Sequence, residues 1–147
     1  MSFEVKKVAV LGTGVMGGQI AAHISNANIE VLAFDMDQET AENGLQATQK
    51  IKPAAFYNKK TSSLITPLNY NDHISRISEC DWVVEAISER IDWKKDLYSK
   101  ISNHLSENSI LTSNTSGISL AELSEDMSED LKSRFFITHF FNPPRYM

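Results

Sequence analysis

The chain has 147 residues, carries 14 Lys and Arg against 19 Asp and Glu for a formal charge of −5, and contains one cysteine, Cys80. That length suits one domain burying roughly two-thirds of its unfolded surface and leaves no room for a second large one, while a single cysteine excludes an internal disulfide. No basic stripe interleaved with aromatics suggests nucleic acid, no run approaches the roughly 18 apolar residues of a membrane span, and the first seven residues lack the apolar core of a signal peptide, so cytoplasm is the expected compartment. Residues 8–11 form a short apolar run ended by glycine. Met16, Ile20, Ile24 and Ala27 then recur at helical spacing, and residues 29–34 predict a second strand, rich in branched and aromatic side chains. A polar helix over 38–51 follows. The next stretch is irregular, with Pro53, Lys59-Lys60 and Pro67; it includes a brief strand at 64–66, and residues 53–63 are the one candidate linker. Residues 82–87 predict a strand, and behind it Trp93, Leu97, Ile101 and Leu105 fall four apart on one helix face, with Asp92 near the helix start. A strand at 109–112, a capping box at Ser119-Leu-Ala-Glu122 and a closing strand at 134–141 complete the series.

Strands alternating with helices need crossover connections, which predicts an α/β fold: a doubly wound, mainly parallel sheet with helices on both faces. Gly12-Thr-Gly-Val-Met-Gly17 matches G-x-G-x-x-G. Alone the pattern is weak, but here it follows a predicted strand, opens a predicted helix and precedes Asp35, 18 residues beyond Gly17 at the end of the second strand. In a Rossmann-type fold Gly12 permits the tight turn, Gly14 lets the backbone approach a pyrophosphate, and Gly17 lets the helix pack closely; the helix N-terminus supplies N–H groups and positive dipole. Asp35 is expected to accept hydrogen bonds from the adenosine ribose. A carboxylate there repels a 2′-phosphate and Met36-Asp37 supplies no arginine, so NAD is favoured over NADP.

A lone histidine at a strand end is more often structural than chemical. His139 has two features beyond that: it lies on the last predicted strand, and in open α/β sheets ligands sit outside the carboxyl ends of strands. The loop Thr112-Ser-Asn-Thr-Ser-Gly117 opens at the same edge with hydroxyls and an amide. An imidazole there is suited to taking a hydroxyl proton while hydride leaves the same carbon. His23, His73 and His104 read as structural or solvated, and no metal-ligand cluster is expected.

Gly12-x-Gly-x-Met-Gly-Gly18, Val83-Val-Glu-Ala-Ile-Ser-Glu89, Ser113-Asn-Thr-Ser116 and His139-Phe-Phe-Asn-Pro143, in that order, resemble the NAD-binding domain of L-3-hydroxyacyl-CoA dehydrogenases over essentially the whole chain. Lys52-Pro-Ala-Ala-Phe-Tyr57 and Asn142-Pro-Pro-Arg-Tyr-Met147 look more like the long bacterial fatty-acid oxidation proteins that carry a hydratase-like part as well. The glycine opening is shared with 3-hydroxyisobutyrate and 6-phosphogluconate dehydrogenases and does not discriminate. The resemblance implies His139 as base, with Ser116 and Asn142 hydrogen-bonding the substrate oxygen of an acyl-CoA. It implies cofactor contacts at Gly12, Gly14, Val15, Met16, Gly17, Asp35, Ala86, Asn114 and Ser116, and contacts to the nicotinamide half at Glu89 and Lys94. The last two are equally readable as solvated charges at a helix start, and Ser116 as a turn initiator. Lys50, Lys52, Lys59 and Lys60 fall where the family has a helical excursion that helps hold coenzyme A, but their pattern reads first as a solvated charged face. The family also has a glutamate about a dozen residues past the histidine and a helical domain that closes the cleft and supports dimerisation. The chain is therefore expected to be a fragment. Alternatives are another hydroxyacid dehydrogenase, of the hydroxyisobutyrate type, or a nucleotide-sensing module without turnover.

Overall fold

The computed structural model describes residues 2–147. Six strands, β1 (Lys7–Leu11), β2 (Glu30–Asp35), β3 (Ile65–Asn69), β4 (Trp82–Glu85), β5 (Ile110–Ser113) and β6 (Phe135–Ile137), form one sheet in the order β3-β2-β1-β4-β5-β6. Every pairing is parallel. This is the expected doubly wound sheet. Its helices are α1 (Val15–Ser25), α2 (Gln38–Lys50), α3 (Tyr70–His73), α4 (Ile91–Ile101), α5 (Leu120–Ser124) and α6 (Glu129–Lys132), with short 3-10 turns at Lys59–Leu64, Ile74–Glu79 and Ser102–His104.

Because successive side chains of a strand face opposite ways, the apolar runs split between two cores. Val8, Val10, Val31, Ala33 and Val84 pack with Ile20, Ala21 and Ile24 of α1 and Leu45 of α2. Ala9, Leu11, Leu32, Phe34, Val83 and Leu111 pack on the other face with Leu97, Tyr98 and Ile101 of α4, Leu123 of α5 and Leu131 of α6. Both faces are covered, so the central strands are mostly apolar, and the buried polar groups Glu85, Thr112 and Ser113 lie toward the ends of β4 and β5.

Three expectations need correction. Trp93 is not on the inward face of α4: it is half-exposed beneath the Arg90 guanidinium, 4.3 Å from its ring centroid, and the buried stripe is Lys94, Leu97, Tyr98 and Ile101. The helix is turned to bring a lysine inside, for a reason set by β4 and given below. The closing strand is three residues long rather than eight. Its partner β5 ends at Ser113, so the last ladder bond is Thr138 N–H to the Ser113 carbonyl (3.0 Å), and the next paired amide, Phe140 N–H, goes to the Asn114 side chain instead. His139 accordingly lies in the loop after β6. Finally, residues 53–63 are no linker. Ala55 and Phe56 are buried against α1, Asn26 donates to the Ala55 carbonyl (2.9 Å), and Arg145 bonds the carbonyls of Ala54 and Phe56 (2.8 and 2.9 Å) while stacking on Tyr57. Lys50, Lys52, Lys59 and Lys60 are exposed, and the only helical structure around the last two is the 3-10 turn. Among the described residues no helix is long and apolar enough to cross a membrane.

Candidate functional site

A parallel sheet puts all its strand C-termini at one edge, and the order reverses between β1 and β4, where a crevice opens. The chain leaves each central strand there in register: Gly12 N–H bonds the Phe34 carbonyl, Ala86 N–H the Leu11 carbonyl and Asn114 N–H the Glu85 carbonyl, each at 2.8 Å. Asp35, the last residue of β2, and Gly12, Ala86, Asn114, Ser116 and His139, which follow the ends of β1, β4, β5 and β6, thus lie at a single edge.

The turn after β1 depends on backbone space. Gly12 sits at φ +101°, and a Cβ there would also lie 2.9 Å from the Ala86 carbonyl oxygen; at Gly17 it would lie 1.8 Å from the Gly12 oxygen. Gly14 differs, since a Cβ there meets nothing within 4 Å. Gly14 is the N-cap of α1 and has no side chain to cap it, so the N–H groups of Val15, Met16 and Gly17 at the helix start face the edge with the positive end of the dipole. A phosphate fits this arrangement. Asp35 closes the far side. Its Oδ2 accepts from Thr13 N–H (2.8 Å) and Thr13 Oγ1–H (2.7 Å), and its Oδ1 from Met36 N–H (2.8 Å), so the carboxylate is fixed with acceptor capacity left over. These residues suit the adenosine and pyrophosphate of a dinucleotide.

At the other half of the crevice, Ser116 Oγ is 3.3 Å from His139 Nε2. Both side chains are exposed, and His139 meets the ring of Phe141 edge-on. The loop after β5 is held by Glu89, which accepts from Thr115 Oγ1–H (2.8 Å) and Ser116 N–H (3.3 Å) and lies 3.4 Å from Lys94 Nζ. Burial opposes ionisation of Glu89 more than any other single influence, but the Thr115 hydrogen bond, the Lys94 charge and the Ser116 N–H together hold its carboxyl below the usual range. It is therefore charged at neutral pH.

The family described as "3-hydroxyacyl-CoA dehydrogenase, NAD binding domain" matches residues 7–147. The chain belongs to this family. NAD is the cofactor of such a dehydrogenase domain, and the glycine turn, bare helix start and Asp35 fit it. The domain is 39% identical over 168 residues to a Bacillus subtilis protein named, with the qualifier probable, as a 3-hydroxyacyl-CoA dehydrogenase, covering 100% of this chain and 21% of that one. It is 43% identical over 157 residues to a Rickettsia felis protein named provisionally as a fatty acid oxidation complex trifunctional enzyme, again covering 100% of this chain and 21% of the relative. In structure it resembles the 3-hydroxybutyryl-CoA dehydrogenase of Escherichia coli K12, with a TM-score of 0.82 at 26% identity, over 98% of this chain and 31% of that one. The chain thus spans about a fifth of the length of these two curated relatives.

Within the dehydrogenase domain, sequence reasoning passed over a buried charge cluster. Glu85, at the end of β4, is fully buried and accepts from Lys94 Nζ (2.6 Å), Tyr98 O–H (2.5 Å), Ser113 Oγ–H (2.8 Å) and Ile87 N–H (2.9 Å). A carboxylate in a central strand needs such a set of donors. Lys94 is consequently buried too, not a solvated charge at a helix start; it also donates to the Ile87 carbonyl (3.3 Å). Desolvation, followed by the charge of Glu85, pushes the Tyr98 phenol far above its usual range, so it stays a donor. The signal available in the sequence was a glutamate inside Trp82-Val-Val-Glu-Ala-Ile87. Thr13, at a variable position of the glycine motif, was missed because only its fold reveals its contact with Asp35. Among the described residues no cluster of three His, Cys, Asp or Glu could hold a metal. Cys80 is buried, and desolvation pushes its thiol up to about 12, which makes it inert.

Proposed function

We propose that this domain, within a longer parent, binds NAD and supplies the base for oxidation of an L-3-hydroxyacyl-CoA to the 3-ketoacyl-CoA, as in fatty-acid β-oxidation. The observation that carries the reading is the 3.3 Å approach of Ser116 Oγ to His139 Nε2 at the edge where the bare N-terminus of α1 opens. His139 Nε2 takes the proton of the 3-hydroxyl as the carbonyl forms. Ser116 Oγ–H and the Asn142 amide hold that oxygen against the imidazole. Bound NAD supplies the acceptor for the hydride that leaves the same carbon. Val15, Met16 and Gly17 offer N–H groups to its pyrophosphate, Asp35 accepts from its adenosine ribose, and Ala86, Glu89, Lys94 and Asn114 border the nicotinamide half. Asp35 beside the 2′-hydroxyl disfavours a 2′-phosphate.

A positioned general base contributes about 10²-fold or more. In the full-length parent, His139→Gln should leave NAD affinity unchanged and lower kcat by that factor, followed as the fall in NADH absorbance with acetoacetyl-CoA. Undiminished turnover in that variant removes His139 from the mechanism.

A further inference from the structure

Gln19 lies on α1, one turn past its start, and is almost fully buried. Its Nε2 donates to the Val15 carbonyl (3.0 Å) and to Asn142 Oδ1 (3.1 Å). The first contact settles the second: a carbonyl can only accept, so Gln19 must turn its NH2 group toward Val15, and that group can meet Asn142 only at the oxygen. The exposed Asn142 is thereby left with its own NH2 as the free end. Asn114 is oriented by the same logic, because its Oδ1 accepts from the Phe140 backbone N–H (2.7 Å). The loop bearing His139 is thus pinned on both sides through amide oxygens.

We infer that Gln19 is a positioning residue, which fixes Asn142 as a hydrogen-bond donor toward a carbonyl-class oxygen and couples the cofactor helix to the loop of the base. The inference rests on the dehydrogenase reading for the identity of that oxygen, but not for the orientation of the amide. A ketone or thioester oxygen, which can only accept, is the ligand such a donor recognises. An Asn142 free to flip would present either end and lose half its encounters; one held by Gln19 does not.

Two measurements test it. In the 147-residue chain, the side-chain NH2 protons of Gln19 should be protected from hydrogen exchange in amide NMR spectra. They should stay protected in Asn142→Asp, which keeps the accepting oxygen, and one should lose protection in Asn142→Leu. Equal behaviour of the two variants overturns the orientation. In the full-length parent, Gln19→Leu should lower kcat about tenfold with NAD affinity unchanged, and should cost no more than about twofold when Asn142→Ala is already present, because groups acting as a unit are non-additive. Full additivity, or a loss confined to NAD affinity, overturns the coupling. Failure of the dehydrogenase reading shows separately, as His139→Gln without effect while the exchange pattern persists.

Discussion

At the scale of single residues, the most consequential contact is the one between Lys94 and Glu85, 2.6 Å apart with 1% and 0% of their side chains exposed. Two charges out of water stabilise little as a pair, but removing one strands the other, at about 3–5 kcal/mol. Lys94→Met should therefore lower the free energy of unfolding by about that amount, read from urea denaturation, because Glu85 keeps only neutral donors. Adding Glu85→Gln should restore most of it. Equal stability of Lys94→Met and the unmutated chain would mean that the pair is not buried in solution. The same lysine reaches Glu89, and Glu89 holds the Ser116 loop. The buried pair and the loop proposed to border the nicotinamide therefore meet in one side chain.

At the scale of elements, the glycine turn separates folding from binding. At Gly17 an added Cβ falls 1.8 Å from backbone oxygen, which no rotamer relieves; at Gly14 it enters open space at a φ of −67° that any residue adopts. Gly17→Ala should destabilise the fold by about 1–3 kcal/mol, the usual cost of overpacking, whereas Gly14→Ala should unfold normally in urea yet bind NAD more weakly. An unchanged NAD affinity in Gly14→Ala contradicts the approach of the pyrophosphate at that point. This turn was readable in the sequence because glycine spacing, strand and helix are local. What was not readable depended on distant partners. The rotation of α4 away from Trp93 follows from a glutamate on β4, the early end of β6 from the end of β5, and the seating of residues 54–56 from Arg145 near the other end of the chain. The sequence already set His139 and the loop of Ser116 at one edge, and the register of β5 against β6 adds their 3.3 Å approach.

At the scale of the whole molecule, the two halves of the crevice stand in different states of completion. The groups proposed for the adenosine and pyrophosphate lie between Val8 and Asp35, on elements fixed by β1, β2 and α1, and Asp35 is already locked by Thr13 and Met36. The groups proposed for the chemistry are exposed, and among the described residues nothing hydrogen-bonds His139 Nδ1, the atom an orienting carboxylate takes in other base pairs. Cofactor binding should then survive in the 147-residue chain, with NAD well ahead of NADP by calorimetry. Turnover should not, since an unoriented base in a site open to water lowers the rate by about 10²-fold or more. The direct comparison is NADH oxidation with acetoacetyl-CoA by the 147-residue chain and by a parent of the length of its curated relatives. A rapid parent beside a nearly silent domain is the expected result. Comparable rates would show that this edge already holds a complete catalytic centre, and equal affinities for NAD and NADP would remove Asp35 from cofactor choice.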